Sequence, residues 1–442
     1  LNVPDIVFRF DKLMPRVVIA DLENAMKIDE AERRCRKTIH LKICVDGEKE
    51  GWVSFSEIHK EMDHAEAAQT KPDDALFLFF TSGTTGMPKV VTHTHLSYPL
   101  GHTTTAAWIG LHPGDIHYNI SQPGWAKFAW SSFFAPWNMG ATIFAFHQTG
   151  RFNAREQLQI IEKHKITTFC SPPTVLRMLI LEDLKSFKLK LRECVAAGEP
   201  LNPEIIETWN RGTGITIRDG YGQTESTCLV GNLPDSKMKF GSMGKPTFLY
   251  EIAIVNEQGT ELPVFEEGSI AVKTNTGKSI GIFSGYFGDP EKNRDVFRHG
   301  LYYTGDKAYK DEDGYIWFVG RDDDVIKASD YRVGPFEVES VLIEHESVVE
   351  SAVVGSPHPI KGYEVKAFII LAAGYAPQEE LAKEIFAYSR KVLAPYKMPR
   401  IIQFVSELPK TINGKIRRIE LRASEAQKKA KNLQAEFEYF YL

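Results

Sequence analysis

Residues 81–89 read Thr81-Ser82-Gly83-Thr84-Thr85-Gly86-Met87-Pro88-Lys89, directly after the apolar run Ala75-Leu76-Phe77-Leu78-Phe79-Phe80. A short apolar run that stops at turn residues predicts a buried strand feeding a loop. In that loop two glycines let the backbone turn tightly and approach a ligand, the hydroxyls and loop amides can donate to phosphate oxygens, and Lys89 supplies a cation. The stretch predicts a polyphosphate cradle. It is not the G-x-x-x-x-G-K-[ST] loop of kinases and GTPases, because Lys89 follows Met87-Pro88 and precedes Val90. Read alone, the same residues also suit a solvated turn, so the rest of the chain has to decide.

With 442 residues, 43% hydrophobic and 25% charged, the chain can bury a full core in more than one domain. A formal net charge of −5 gives no basic field for nucleic acid. The five cysteines, Cys35, Cys44, Cys170, Cys194 and Cys228, form no C-x-x-C pair and leave an odd count, the pattern of a reduced, cytoplasmic chain. No apolar run approaches the roughly 20 residues that span a bilayer, so no membrane partner is expected. Nothing in the sequence sets the oligomeric state.

Residues 1–70 give mixed signals, with a strand expected over 39–45 and a helix-like segment over 54–62. Helical patterns near 95–108, 154–165, 172–183 and 203–210 then alternate with apolar runs near 141–146, 167–170 and 193–197, as in βα units on a parallel sheet. After Gly220 short strands with Gly and Pro turns predict a small β-barrel or second β layer. The polar residues Arg321 to Asp324 interrupt two apolar runs, which sets a boundary between a large domain, 1–320, and a smaller α+β domain, 321–442. The fold class is thus α/β, multi-layered with parallel sheets, plus a small α+β domain whose compact part runs to about 422.

Four further stretches carry chemistry. In Asp219-Gly220-Tyr221-Gly222-Gln223-Thr224-Glu225 the glycines suit a close turn, Tyr221 offers a face to adenine, Thr224 a hydroxyl to a phosphate or carboxylate, and Glu225 a hard oxygen to Mg²⁺. Gly198-Glu199-Pro200 precedes it; Tyr303-Thr304-Gly305-Asp306, Arg321 and Leu408-Pro409-Lys410-Thr411-Ile412-Asn413-Gly414-Lys415 follow. Taken singly, Asp306 reads as a turn residue and Lys415 as a solvated lysine.

Together and in this order, these stretches resemble the adenylate-forming superfamily, and most of all its medium-chain acyl-CoA synthetases, over about residues 75–422. The resemblance implies ATP-dependent activation of a carboxylic acid to an acyl adenylate, then transfer to CoA, with Mg²⁺ as cofactor. It implies ATP contacts at Thr81, Ser82, Gly83, Thr84, Thr85, Gly86, Lys89, Gly198, Glu199, Pro200, Asp219, Gly220, Tyr221, Gly222, Gln223, Thr224, Asp306, Arg321 and Lys415. Lys415 and Thr224 would be catalytic and Glu225 would hold the metal. Trp125 and Gly222 would line the acyl pocket. Acetyl-specific relatives carry a bulky tryptophan at the position of Gly222, so glycine there implies room for a longer, branched or aromatic acid.

The small domain of this superfamily rotates between the two half-reactions. That implies a hinge at Asp323 and a mobile domain presenting Ser329, Asp330, Tyr331, Arg332, Lys361 and Arg400 to CoA. Asp330 stands where relatives usually have glycine, and Met398 where they often have an aromatic residue. The resemblance also implies a longer amino-terminal stretch ahead of the phosphate loop than this chain carries. Two alternatives stay open: a nucleotide-binding fragment without catalysis, and adenylation with transfer to a carrier-protein pantetheine.

Overall fold

The structure, a computed structural model, describes all residues except 36–37, 62, 82–87, 122–125, 149, 151, 278, 323, 329–330, 360–361, 411–415 and 442. The expectations placed on Ser82, Gly83, Thr84, Thr85, Gly86, Trp125, Asp323, Ser329, Asp330, Lys361 and Lys415 therefore lie outside the described residues. The chain forms two compact units, Leu1–Thr70 and Lys71–Leu442.

In the first unit, strands Val17–Ala20, Leu41–Cys44 and Val53–Ser54 pair in parallel. Helix Val3–Leu13 starts at a capping box, with the Asn2 side chain accepting from Asp5 N at 2.9 Å. Helix Leu22–Arg34 is capped by Asp21. Ile6, Ile28, Ala31 and Ile39 close a small core, while Val17, Ile19, Leu41 and Val53 stay exposed. The segment expected to be helical over 54–62 is a 3₁₀ turn, Phe55–Lys60.

The second unit holds the expected βα alternation. Strands Ile217–Tyr221, Glu193–Ala197, Thr168–Ser171, Ile116–Asn119 and Thr142–Phe144 lie side by side in parallel. Helices Ser97–Ile109, Ala154–Lys163, Pro173–Leu179 and Pro203–Thr213 fall where the periodicity placed them. The last begins at Asn202, whose side chain accepts from Glu204 N, and ends at Gly214 with φ of 77°. Burial of Phe169, Leu158, Ile161, Leu176 and Trp209 between sheet and helices gives this layer its own core.

The 81–89 stretch joins two antiparallel strands, Ala75–Thr81 and Lys89–Thr94, in a register that sets Thr81 opposite Lys89. The two strands are therefore the arms of a hairpin, and Gly285–Tyr286 pairs along its second strand. A five-stranded antiparallel sheet, built on Ile252–Val255, Gly268–Lys273, Phe297–Arg298, Leu301–Lys310 and Ile316–Arg321, supplies the expected β layer. Val91, Ile270, Tyr286 and Tyr302 share one core between this sheet and the hairpin.

Beyond Arg321 the strands join a different, six-stranded sheet, packed by Pro335–Ile343, Glu379–Val392 and Arg418–Ala430. Its outer strand, Glu438–Phe440, comes from the tail past residue 422 that the sequence left without a role. The tail is held by charge as well as pairing: Lys366, fully buried, donates to Glu425 at 2.6 Å and also to Glu438, and Ser356 donates to Glu425 at 2.7 Å. No helix among the described residues is long and apolar enough to cross a membrane.

Candidate active site

Two neighbouring parallel strands end together, with Gly220 in register with Ala197. The residues after them, Gly198-Glu199-Pro200 and Gly222 to Glu225, stand beyond the strands' carboxyl ends, where open α/β sheets bind ligands. Gly198 has φ of 103°, a conformation that favours glycine. Lys127, buried, donates to Ala197 O at 2.7 Å, and the Glu199 carboxylate accepts from Thr174 Oγ1 at 2.8 Å with Arg177 at 3.6 Å. Asp219 turns inward: its Oδ1 accepts from Gly220 N at 2.9 Å, and burial pushes its carboxyl up to about 8.

The second and third motifs meet at Asp306, which is buried. Tyr221 donates its phenol to Asp306 Oδ2 at 2.5 Å, and Gln223 Nε2 reaches the same oxygen at 2.6 Å and Thr304 O at 2.9 Å. Tyr302 donates to Gln223 Oε1 at 2.9 Å, which fixes the amide's orientation. On the other side, Arg321 is the cross-strand partner of Asp306, with Nε 3.4 Å from Oδ1. Burial raises the Asp306 carboxyl, opposed by Arg321 and the Tyr221 hydrogen bond; burial and Asp306 push the Tyr221 phenol well up, so it stays a donor.

The hairpin brings in the first motif. Lys89 Nζ lies 5.2 Å from the centre of the Tyr286 ring, and Tyr286 donates to Glu225 Oε1 at 2.8 Å. Burial, followed by the field of Lys292, lowers the Lys89 ammonium, and Glu225 opposes the shift. His93, on the hairpin's second strand, faces the carbonyl of Thr224 at 2.8 Å through Nε2 and Ser97 Oγ at 3.2 Å through Nδ1. Burial drops this imidazole to about 4, so it is neutral, and a carbonyl partner requires the proton on Nε2.

At Gly222 an added Cβ would stand 2.4 Å from Thr227 O and 2.8 Å from Trp130 Cζ2. The indole of Trp130, itself buried and donating to Ser226 O at 3.1 Å, fills the space beside the glycine.

The structure thus brings together Lys89, Tyr221, Gln223, Glu225, Asp306 and Arg321, while Tyr331, Arg332 and Arg400 belong to a separate cluster on the six-stranded sheet. There Tyr331 stacks on Tyr396 with centroids 4.3 Å apart, and Arg400 donates to Pro395 O at 3.1 Å. Met398 is buried in the core packed on that sheet and presents no face outward. Sequence reasoning missed Tyr286, His93 and Trp130. The signal for His93 was present in the alternating Thr92-His93-Thr94-His95, which puts a histidine on the buried face of the strand.

Among the described residues no three His, Cys, Asp or Glu side chains cluster to hold a metal. Glu225 offers a carboxylate beside the hairpin, with one oxygen already taken by Tyr286. That set fits an ion such as Mg²⁺, which keeps most of its shell as water and substrate phosphate and uses one or two protein carboxylates.

Comparison with known proteins agrees with this geometry. The AMP-binding enzyme family matches residues 2–287, and the AMP-binding enzyme C-terminal domain matches residues 337–415. The chain is 49% identical, over 100% of its length and 77% of the other's, to 4-hydroxybutyrate–CoA ligase 1 of Metallosphaera sedula. It is 46% identical to the mitochondrial acyl-coenzyme A synthetase ACSM3 of Rattus norvegicus, over 96% of this chain and 74% of that one. The crystal structure of the anthranilate CoA ligase AuaEII in complex with anthranoyl-AMP superposes with a TM-score of 0.89 at 34% identity, covering 97% of this chain and 82% of the other. The chain belongs to the AMP-binding enzymes, and within them to the acyl-CoA synthetases.

Proposed function

We propose that the chain binds ATP between Gly198 and Arg321, beyond the carboxyl ends of the parallel strands, joins a carboxylic acid to its α-phosphate, and passes the acyl group to CoA. The observation that supports this most is the convergence on Asp306, where a buried carboxylate is oriented by Tyr221 and Gln223 from one part of the sequence and by Arg321 from another. A carboxylate so held can accept from the two ribose hydroxyls, and the Tyr221 ring offers a surface to the adenine. Residues 81–86 and Lys89 take the β- and γ-phosphates, and Thr224, its carbonyl fixed by His93, places a hydroxyl for the acid's carboxylate.

Charge builds at the α-phosphorus as the acid attacks and pyrophosphate leaves, so a cation there lowers the barrier. Lys415 is that cation in this reading. Glu225 holds Mg²⁺, which when bound offsets the triphosphate's charge. Asp323 is the hinge of a small domain beginning at 321, and its rotation presents Ser329, Asp330, Tyr331, Arg332, Lys361 and Arg400 to CoA. The arginines and lysine suit the CoA phosphates. ATP, the acid and CoA are the partners in this account, with no role for nucleic acid. Five unpaired cysteines suit a reducing compartment such as the cytoplasm.

The acids in the relatives' names, 4-hydroxybutyrate and anthranilate, differ in class, so the choice of acid falls to the pocket. Pyrophosphate release from ATP with a panel of acids, with and without CoA, tests the reaction. Acid-dependent release with AMP and acyl-CoA as products is expected. Acid-independent hydrolysis or no release at all overturns it, and thioester formed only on a carrier protein selects the other acceptor.

A further inference from the structure

Two polar side chains next to the candidate acyl pocket are buried without partners. Tyr98 and His102 stand one helical turn apart on Ser97–Ile109, an i, i+4 pair on one face, with ring centres 4.4 Å apart. Tyr98 Oη and His102 Nε2 are both shut off from solvent and have no hydrogen-bond partner among the described residues. A buried donor or acceptor without a partner is destabilising, so two of them side by side call for an explanation.

Their location supplies one. Tyr98 lies 4.6 Å from the ring of His93, which holds the Thr224 carbonyl, and His102 lies 5.9 Å from the Trp130 ring that fills the space beside Gly222. The pair therefore sits about one ring beyond the point where the acid's carboxylate would be held. Phe77, Phe79, Phe134 and Trp130 surround it and carry no charge. Burial keeps both groups neutral, lowering the His102 imidazole and raising the Tyr98 phenol.

We propose that Tyr98 and His102 read a hydroxyl at the far end of a short acyl chain, so that the preferred acid is a short hydroxy acid rather than a plain fatty acid. A hydroxyl both donates and accepts, and can satisfy a phenol and a neutral imidazole together. A terminal carboxylate or ammonium would meet no counter-charge in this ring cage and is disfavoured. The inference rests on the acid-activating reading above, and it discriminates as polar sites do: an analogue lacking the hydroxyl leaves the buried groups unpaired again.

The test uses three acids of equal chain length, 4-hydroxybutanoate, butanoate and succinate, with acid-dependent pyrophosphate release by the full chain as readout. The kcat/KM for 4-hydroxybutanoate is expected to exceed that for butanoate by about tenfold or more, with succinate poorest. In Tyr98→Phe, which keeps the ring and its packing, the ratio of hydroxylated to plain acid is expected to fall toward one. A thermal melt of the variant reports that it is folded. A wild-type ratio at or below one, or a ratio that Tyr98→Phe leaves unchanged, overturns the proposal while acid activation stands. Absence of release with every acid overturns acid activation itself and this proposal with it.

Discussion

Asp306 and Arg321 face each other across strands Leu301–Lys310 and Ile316–Arg321, with Arg321 Nε 3.4 Å from Asp306 Oδ1, while Tyr221 closes the other oxygen at 2.5 Å from the parallel sheet. A carboxylate buried this deeply is oriented before any ligand arrives, which spares the nucleotide the entropy of organising it. Asp306→Ala should therefore raise the KM for ATP at least about tenfold. It should also destabilise the fold by about 1–3 kcal/mol, since Tyr221 and Gln223 lose their acceptor. Steady-state kinetics in ATP and chemical denaturation check the two effects separately.

Asp219 gives the protein a pH signature. Its carboxyl rises from an ordinary 3.8 to about 8 through burial, so between those values the folded protein holds a proton that the unfolded chain has released. Stability contributed by this group falls as pH rises through that window and levels off above it. His93 and His117, each dropped from 6.5 to about 4, act in the opposite sense below about pH 6.5. The Asp219 contribution should stand clear between about pH 6.5 and 8. Asp219→Asn should flatten the decline in melting temperature over that interval, measured at half-unit steps.

Gly222 and Trp130 divide one space. Even a methyl group at 222 would stand 2.4 Å from the Thr227 carbonyl, so Gly222→Ala should destabilise by about 1–3 kcal/mol and lower kcat/KM for every acid. If Gly222 lines the acyl pocket as proposed, the residue that limits it is then Trp130. Trp130→Phe should raise the kcat/KM ratio of longer over shorter acids severalfold, read in a homologous series of straight-chain acids.

The motifs were legible because each is local: a strand, a turn and a few side chains whose chemistry can be read in sequence order. The βα alternation was legible for the same reason, through hydrophobic periodicity and caps such as Asn202-Pro203. What joins the motifs was not. The pairing of Tyr286 with Glu225, and of His93 with the Thr224 carbonyl, depends on how the hairpin and the two sheets are set together, and no spacing encodes it. Trp130 was invisible beside Gly222 because the two are far apart in sequence. The tail was misjudged for a similar reason: Glu438–Phe440 is too short to show alternation, and its partner charge, Lys366, lies on a distant strand.

Lys366 is the ion on which that tail depends. Lys366→Met would leave Glu425 and Glu438 buried without their hydrogen-bonded cation, offset only in part by the field of Lys428, which should destabilise the six-stranded sheet and its helices by about 3–5 kcal/mol. Limited proteolysis should then cut first between residues 430 and 438. Adding Glu425→Gln and Glu438→Gln to Lys366→Met should restore part of the loss, because the orphaned charges are gone.

The central claim is that the acid's own oxygen attacks the α-phosphorus of ATP. Incubation of the full chain with a carboxylic acid labelled with ¹⁸O in both carboxylate oxygens, ATP, Mg²⁺ and CoA, followed by mass spectrometry of the AMP, tests it most directly. Transfer of one labelled oxygen to AMP, with none in pyrophosphate, is the predicted result. Unlabelled AMP, or label appearing in inorganic phosphate alongside ADP, would contradict it.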